Sequence, residues 1–257
     1  MRGNMDKTLG EYTKFYEDYT DKAVRYHADT TRNDFQAQLW YELTRNKITL
    51  AMLGNLCEGK DVIDLGSAHW VEKALLARLK AKSITKVDIA PAPDDAADTL
   101  KLDACDTGLP TGGYDVVICR ELIEHVIDAE KLMAEMTRLL KDGGYLLLTT
   151  PNAFGLPPDM EAHVRGYTPR SFAQTIERYG FDILDKRGNC QSIFLVLMPL
   201  VEQGHQWVLN EFQEIEKRME DTPDSYYFGT NMFVLAQKGK HEDTACAAVS
   251  ELALAIC

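Results

Sequence analysis

The sequence predicts an α/β fold built on a doubly wound, mostly parallel sheet. Three observations carry that reading. Between residues 61 and 152, short apolar and β-branched runs alternate with stretches of helical periodicity. The first run, Asp61-Val-Ile-Asp-Leu65, stops at Gly66 and gives way to a helical pattern over 72–80, the strand–turn–helix order that opens a nucleotide site in such sheets. The chain has 257 residues, 45% of them hydrophobic, enough for one large α/β domain with a small addition.

In chain order, residues 5–56 read as helices. Tyr12, Phe15, Tyr16 and Tyr19 recur at helical spacing, as do Leu39, Leu43 and Ile48. The aromatics serve either as core packing or as a lid, where a tyrosine offers both a flat face and a hydroxyl. Residues 55–60 turn the chain into a first strand at 62–65. A second strand over 84–89 ends at Asp88 and is stopped by Pro91 and Pro93. Strands follow at 99–103 and 114–119, then an amphipathic helix at 129–140. Lys141-Asp-Gly-Gly144 reads as its glycine stop. A fifth strand at 145–150 closes at Pro151-Asn152. Thr168-Pro169 marks a helix start and Gly180 its end. A sixth strand is expected at 182–186, an apolar run at 193–200, a helix at 206–220 and a last strand at 231–237. The tail from Lys238 begins polar and ends Ala-rich, and reads as mobile or loosely docked.

These elements divide the chain into N-terminal helices (1–56, a lid), a core (57–190), a helical cap (191–230), a last core strand (231–238) and a tail (239–257). The formal charge of -12 argues against general nucleic-acid binding, which needs clustered Lys and Arg. Six cysteines at 57, 105, 119, 190, 246 and 257 form no CxxC pair and read as reduced, small apolar residues. No apolar leader opens the sequence, and no run approaches the ~20 residues of a membrane span. The expectation is a cytoplasmic monomer or homodimer.

The motifs are more specific than the pattern. Asp61-Val-Ile-Asp-Leu-Gly-Ser-Ala-His69 resembles the first motif of the class I S-adenosylmethionine (SAM)-dependent methyltransferases. Of that motif's three glycines only Gly66 is present, with Ala68 and Trp70 at the other two positions. Tyr114-Asp-Val-Val-Ile-Cys-Arg-Glu-Leu-Ile-Glu-His125 resembles the fourth-strand motif. The continuation through Arg138–Asn152, with His163-Val-Arg-Gly-Tyr-Thr-Pro169 and Tyr179-Gly-Phe181, is similar to the branch that contains the ubiquinone-biosynthesis methyltransferases. The resemblance covers residues 61 to about 186 and recurs at the final strand. It implies a Rossmann-like seven-stranded sheet whose last strand runs antiparallel, with a helical cap.

It also implies site residues. Asp64, Gly66 and Ser67 would pass under the methionine part of SAM. Asp88 would accept from the ribose hydroxyls, and Asp103 with Ala104 would meet the adenine. Cys119 and Arg120 would border the reacting methyl. S-adenosylhomocysteine (SAH) would be the product. Trp70 either packs on the sheet or stacks near the cofactor, and His69 reads as a loop residue.

Methyl transfer from a sulfonium is an in-line displacement whose main requirement is alignment. A base is needed when the nucleophile carries a proton, and His125 and His163 are the candidates. The apolar residues Phe194, Leu197, Met198, Trp207 and Phe212 suit a small organic substrate, accepting the methyl at O, N or C. Two alternatives use the same chain. Glu121, Glu124 and His125 with His163 resemble the metal ligands of the small-RNA 2′-O-methyltransferases, and on a helix the first three would share a face. That divalent metal is not favoured, because metal-free relatives carry similar residues. The other alternative is a methyltransferase-like protein that binds SAM without methylating.

Overall fold

A computed structural model describes residues 9–67, 74–93, 95–154, 162–191, 199–219, 222 and 225–239. Its strands are β1 (Asp61–Leu65), β2 (Ser83–Asp88), β3 (Leu100–Lys101), β4 (Tyr114–Arg120), β5 (Leu140–Pro151), β6 (Phe181–Gln191) and β7 (Gly229–Lys238). They form one sheet in the order β3-β2-β1-β4-β5-β7-β6. The pairs from β3 through β5 are parallel, while β7 runs antiparallel to both β5 and β6. This is the seven-stranded sheet with an antiparallel last strand that the resemblance implies.

The central strands are buried on both faces, which is why Val62, Ile63, Val116, Val117, Ile118 and Leu146–Leu148 form nearly continuous apolar runs. One face packs Ile63, Leu65, Val117, Cys119 and Leu148 against α3 (Ala129–Leu139) and α4 (Pro169–Arg178). The other packs Val62, Ile118, Leu147 and Phe233 against Ile48, Met52 and Leu53 of α2 (Phe35–Leu53). Outside α2 lies a third cluster, where Ala37 meets Val208, Leu209 and Phe212 of α5 (Gln206–Met219). The remaining helices are α1 (Leu9–Ala28) and the short α6 (Ser225–Phe228). No helix among the described residues is long and apolar enough to cross a membrane.

Several expected boundaries shift. The Gly143-Gly144 pair does not cap α3: its last residue is Leu139, the chain is already extended at Leu140, and both glycines lie inside β5. There, Tyr114 pairs with Leu140 and Val116 with Tyr145, so the extra residues bulge out of the ladder. Strand β3 is only two residues long, and Leu102 continues it with a single bond to the Asp88 carbonyl at 3.1 Å. Strand β6 is longer than expected and reaches Gln191 because β7 pairs along it as far as Gly229. The helix expected at 72–80 is described as helical only at 74–76, and the turns at Arg78 and Leu79 are i→i+3 bonds. Ala68, His69, Trp70, Phe194, Leu197, Met198, Cys246 and Cys257 lie outside the described residues. Helix α4 begins as expected: Thr168 and Ser171 form a reciprocal cap ahead of Pro169.

Gly188 in β6 lies hard against α6. A Cβ there would sit 1.9 Å from the Ser225 carbonyl oxygen, which belongs to rigid backbone. Gly188→Ala should therefore cost about 3 kcal/mol or more, read as a lowered urea midpoint with an unchanged slope.

Candidate active site

The carboxyl ends of β3, β2, β1 and β4 lie side by side, spanning three strand spacings or about 14 Å. Each carries residues singled out in the sequence. At the end of β1, Gly66 adopts φ +81°, and the amides of Gly66 and Ser67 both donate to the Val87 carbonyl, at 2.8 and 3.2 Å. A side chain at 66 would be strained, and its Cβ would also press on Leu122 at 3.2 Å. Asp64 is buried, with Oδ2 lacking any hydrogen-bond partner. Burial pushes its carboxyl up, against the pull of Ser67 and Arg120. Asp88 is also buried. Its Oδ1 accepts from the Ala90 amide at 2.7 Å, and burial raises it to about 6. Asp103 accepts from the Cys105 amide at 2.8 Å, beside buried Ala104. An unmet carboxylate acceptor at the end of β1 and a row of acids along the edge fit a cationic, hydroxyl-bearing ligand of nucleoside size.

Cys119 and Arg120 leave β4 on opposite faces. Cys119 is fully buried in the core, with its thiol pushed well up by burial. Arg120 turns toward α2 and donates to Asn46 Oδ1 at 2.7 Å.

Residues 121–128 are bends and turns, not a helix, and this separates the two glutamates. Glu121 takes a left-handed backbone, φ +50°. Its carboxylate accepts from Thr149 Oγ1 at 2.7 Å and from Asn231 Nδ2 at 2.5 Å, and lies 3.6 Å from the Arg45 guanidinium. Glu124 accepts instead from Thr150 Oγ1 at 3.0 Å. Thr149 and Thr150 are neighbours in β5 and so project from opposite faces of the sheet. The four-residue metal set weighed as an alternative in the sequence is therefore not assembled. Three of its members do converge: ligand atoms of Glu124, His125 and His163 lie within 4.8 Å of one another, and Glu124 Oε1 is buried with no hydrogen-bond partner. Those three fit a divalent cation; Glu121 does not join them.

The two imidazoles meet edge to face with centroids 4.8 Å apart. His125 Nδ1 is 3.0 Å from the Ala162 carbonyl, which leaves Nε2 facing the cluster. The histidine-bearing loops are pinned to each other by Val164 N–H to the Glu124 carbonyl (2.9 Å) and by Arg165 to the carbonyls of Val126 and Ile127 (3.0 and 2.5 Å). Tyr16 of α1 donates toward the carbonyls of His125 and Ala162, each at 3.3 Å. Burial lowers His125, and burial with the neighbouring His125 lowers His163 to about 4. Glu124 is pushed well up by burial and by Glu121. At neutral pH the cluster thus holds two neutral imidazoles beside a carboxyl whose charged form burial disfavours.

On the opposite face stands a polar network that the sequence reading missed. Arg45 of α2 pairs with Glu42 at 3.0 Å and approaches Glu121, and its guanidinium carbon lies 5.7 Å from the Tyr41 ring centroid. Tyr41 donates to Asn231 Oδ1. Positions 41, 45 and 49 share one face of α2, a polar stripe that hydrophobic periodicity does not detect. Leu43, picked out by that periodicity, is more than half exposed, and so is Trp207.

Residues 35–186 match a family model described as a methyltransferase domain. The chain belongs to the class I SAM-dependent methyltransferase family. Over 159 residues it is 26% identical to a Mycolicibacterium smegmatis protein described as a probable S-adenosylmethionine-dependent methyltransferase, a match covering 58% of this chain and 62% of that one. A Klebsiella pneumoniae ubiquinone biosynthesis O-methyltransferase is 27% identical over 155 residues, covering 50% and 62%. The matches thus span about three-fifths of the length of these relatives. In fold, the chain is similar to a SAM-dependent methyltransferase from Archaeoglobus fulgidus, with a TM-score of 0.52 and 17% identity over 79% of this chain and 99% of that one.

Two outcomes follow from the geometry. Arg45→Met removes the cation from between two mostly buried carboxylates, Glu42 and Glu121, and should lower stability by about 3 kcal/mol in chemical denaturation. His163 ionises near 4 when folded and near 6.5 otherwise. Between those values the unfolded chain binds more protons, so stability should decline as pH falls from about 6.5 toward 4. His163→Asn should flatten that part of the profile.

Proposed function

We propose that this chain transfers the methyl group of SAM to an O, N or C atom of a small organic molecule. The observation that carries the reading is the adjacency of two features at one sheet edge. An acid-lined row runs over Asp64, Gly66, Asp88 and Asp103, and beside it, past the end of β4, stands a pair of neutral imidazoles.

Asp88 accepts the ribose hydroxyls, Asp103 with Ala104 meets the adenine, and Asp64, Gly66, Ser67 and the backbone at Cys119–Arg120 frame the methionine end. SAM supplies the electrophilic methyl. Alignment of donor and acceptor is worth up to ~7–11 kcal/mol. His125 or His163 takes the acceptor's proton, since an imidazole held neutral is ready to accept one at neutral pH. Helix α1 acts as a lid, its Tyr16 reaching the histidine loops, and the segment around α5 as a cap over the acceptor. The charge of -12 supports a small-molecule acceptor over nucleic acid.

A second reading draws on the convergence of Glu124, His125 and His163. A divalent cation held by those three would lower the pKa of an acceptor hydroxyl. Calorimetric titration with SAM and SAH, with and without EDTA, separates the two. Micromolar binding and turnover that ignore EDTA support the first, and turnover that needs an added divalent ion supports the second. No binding of either compound would sink both.

Because Asp88 ionises near 6, SAH affinity should rise as pH increases from 5 to 7, and Asp88→Asn should abolish that dependence. Replacing His125 or His163, whichever acts as base, with Asn should lower kcat about 10²–10⁴-fold. With His163 as the base, the wild-type rate should show no loss from imidazole protonation down to about pH 5, since that ring protonates near 4.

A further inference from the structure

Near its end, strand β6 carries a residue that the network above does not use. Asn189 is 1% exposed, and both Oδ1 and Nδ2 are buried without a hydrogen-bond partner. In the antiparallel ladder it stands directly opposite Asn231. Opposed residues project from the same face, with Cβ atoms about 5 Å apart. That face is the one on which Asn231 bonds Tyr41 and Glu121. Close packing keeps the Asn189 backbone in place: a Cβ on Gly229 would meet its N and O at 2.9 Å. A buried carboxamide with neither half satisfied is costly and calls for a partner that folding alone does not provide.

We infer that Asn189 binds the methyl acceptor, and that the acceptor presents there a neutral group that both donates and accepts hydrogen bonds, a hydroxyl or an amide. Three observations support it. The free groups on Asn189 are one acceptor and one donor centre, which a carboxamide or hydroxyl satisfies reciprocally. The adjoining Asn231 is already engaged through both ends of its amide, so it fixes the wall and leaves Asn189 as the reader. In strand order, Asn189 lies beyond β4, β5 and β7 from the acid-lined row, at the other end of the same sheet edge. The inference rests on the methyl-transfer reading and adds the substrate chemistry: the end of the acceptor held at β6 is polar and uncharged.

The test uses the full chain saturated with SAH. Benzamide and benzyl alcohol serve as probes, toluene as the apolar control, and the Asn189 side-chain amide signal is followed by NMR. The expected result is a saturable shift of that signal with benzamide or benzyl alcohol and none with toluene. Asn189→Leu, nearly the same shape, should raise the melting temperature, leave SAH affinity within about twofold, and weaken the probe about tenfold. Asn189→Asp, which keeps the shape and removes the donor, gives a second variant should the leucine form fold poorly, and it too should lose the probe. An Asn189 signal indifferent to both probes, or a leucine variant that binds them as well as wild type, overturns the inference, as does a fall in melting temperature, which would assign the amide to an ordered water. SAH binding is measured on the same samples. Failure of the probes with SAH bound sinks the inference alone, whereas absence of SAH binding sinks the methyl-transfer reading and the inference with it.

Discussion

The placement of β7 is the constraint on which the candidate site depends. Strand β7 fills the gap between β5 and β6 and runs against both, so both ladders close without an unpaired inner edge. Its direction has a chemical result. The start of β7, not its end, lies where β5 finishes, and Asn231 is delivered to the same edge as Glu121. Strand β6, parallel to β5, ends there too and brings Asn189. Had the last strand run parallel, its first residues would sit at the opposite edge, and neither carboxamide would face the other.

The charges at this edge are arranged so that each buried acid has a different way of being tolerated. Glu121 sits among an arginine, an asparagine amide and a threonine hydroxyl. Its left-handed backbone is the local strain that such a position carries, on the order of 1–3 kcal/mol. Glu124, three residues on, has its carboxyl pushed well up by burial and by Glu121, and sits with uncharged imidazoles. The division follows from strand geometry, since Thr149 and Thr150 draw the two carboxyls to opposite sides. The result is two environments of opposite character within one short loop, a pattern suited to assigning separate roles to similar side chains.

Much of this was legible in the sequence. The strand–turn–helix at Asp61–Gly66, the acid at Asp88 and the block from Tyr114 to His125 located four adjacent strands and the edge they share. Local rules were enough there because apolar runs and turn residues report directly on buried parallel strands. What failed was anything decided by tertiary contact. Gly143-Gly144 satisfies the rule for a helix stop, yet pairing with β4 draws the chain into a strand before the glycines are reached. Glu121, Glu124 and His125 have helical spacing, yet no helix forms before Ala129. The Tyr41–Arg45–Asn231 network was invisible because its members are polar, far apart in the chain, and buried on a helix face that a search for apolar periodicity passes over.

The family-matched segment begins at residue 35 and stops at 186. Tyr16, Asn189 and Asn231 all fall outside it, whereas Asp64, Gly66, Asp88 and Asp103 fall within. The tips of β6 and β7 and the acid-lined row therefore have separate genetic addresses. A descendant could exchange the first helix and the last two strands' tips while inheriting the acid-lined row intact. Changes at the flanks of the gene can in this way reshape the tips of β6 and β7 without touching the acid-lined row.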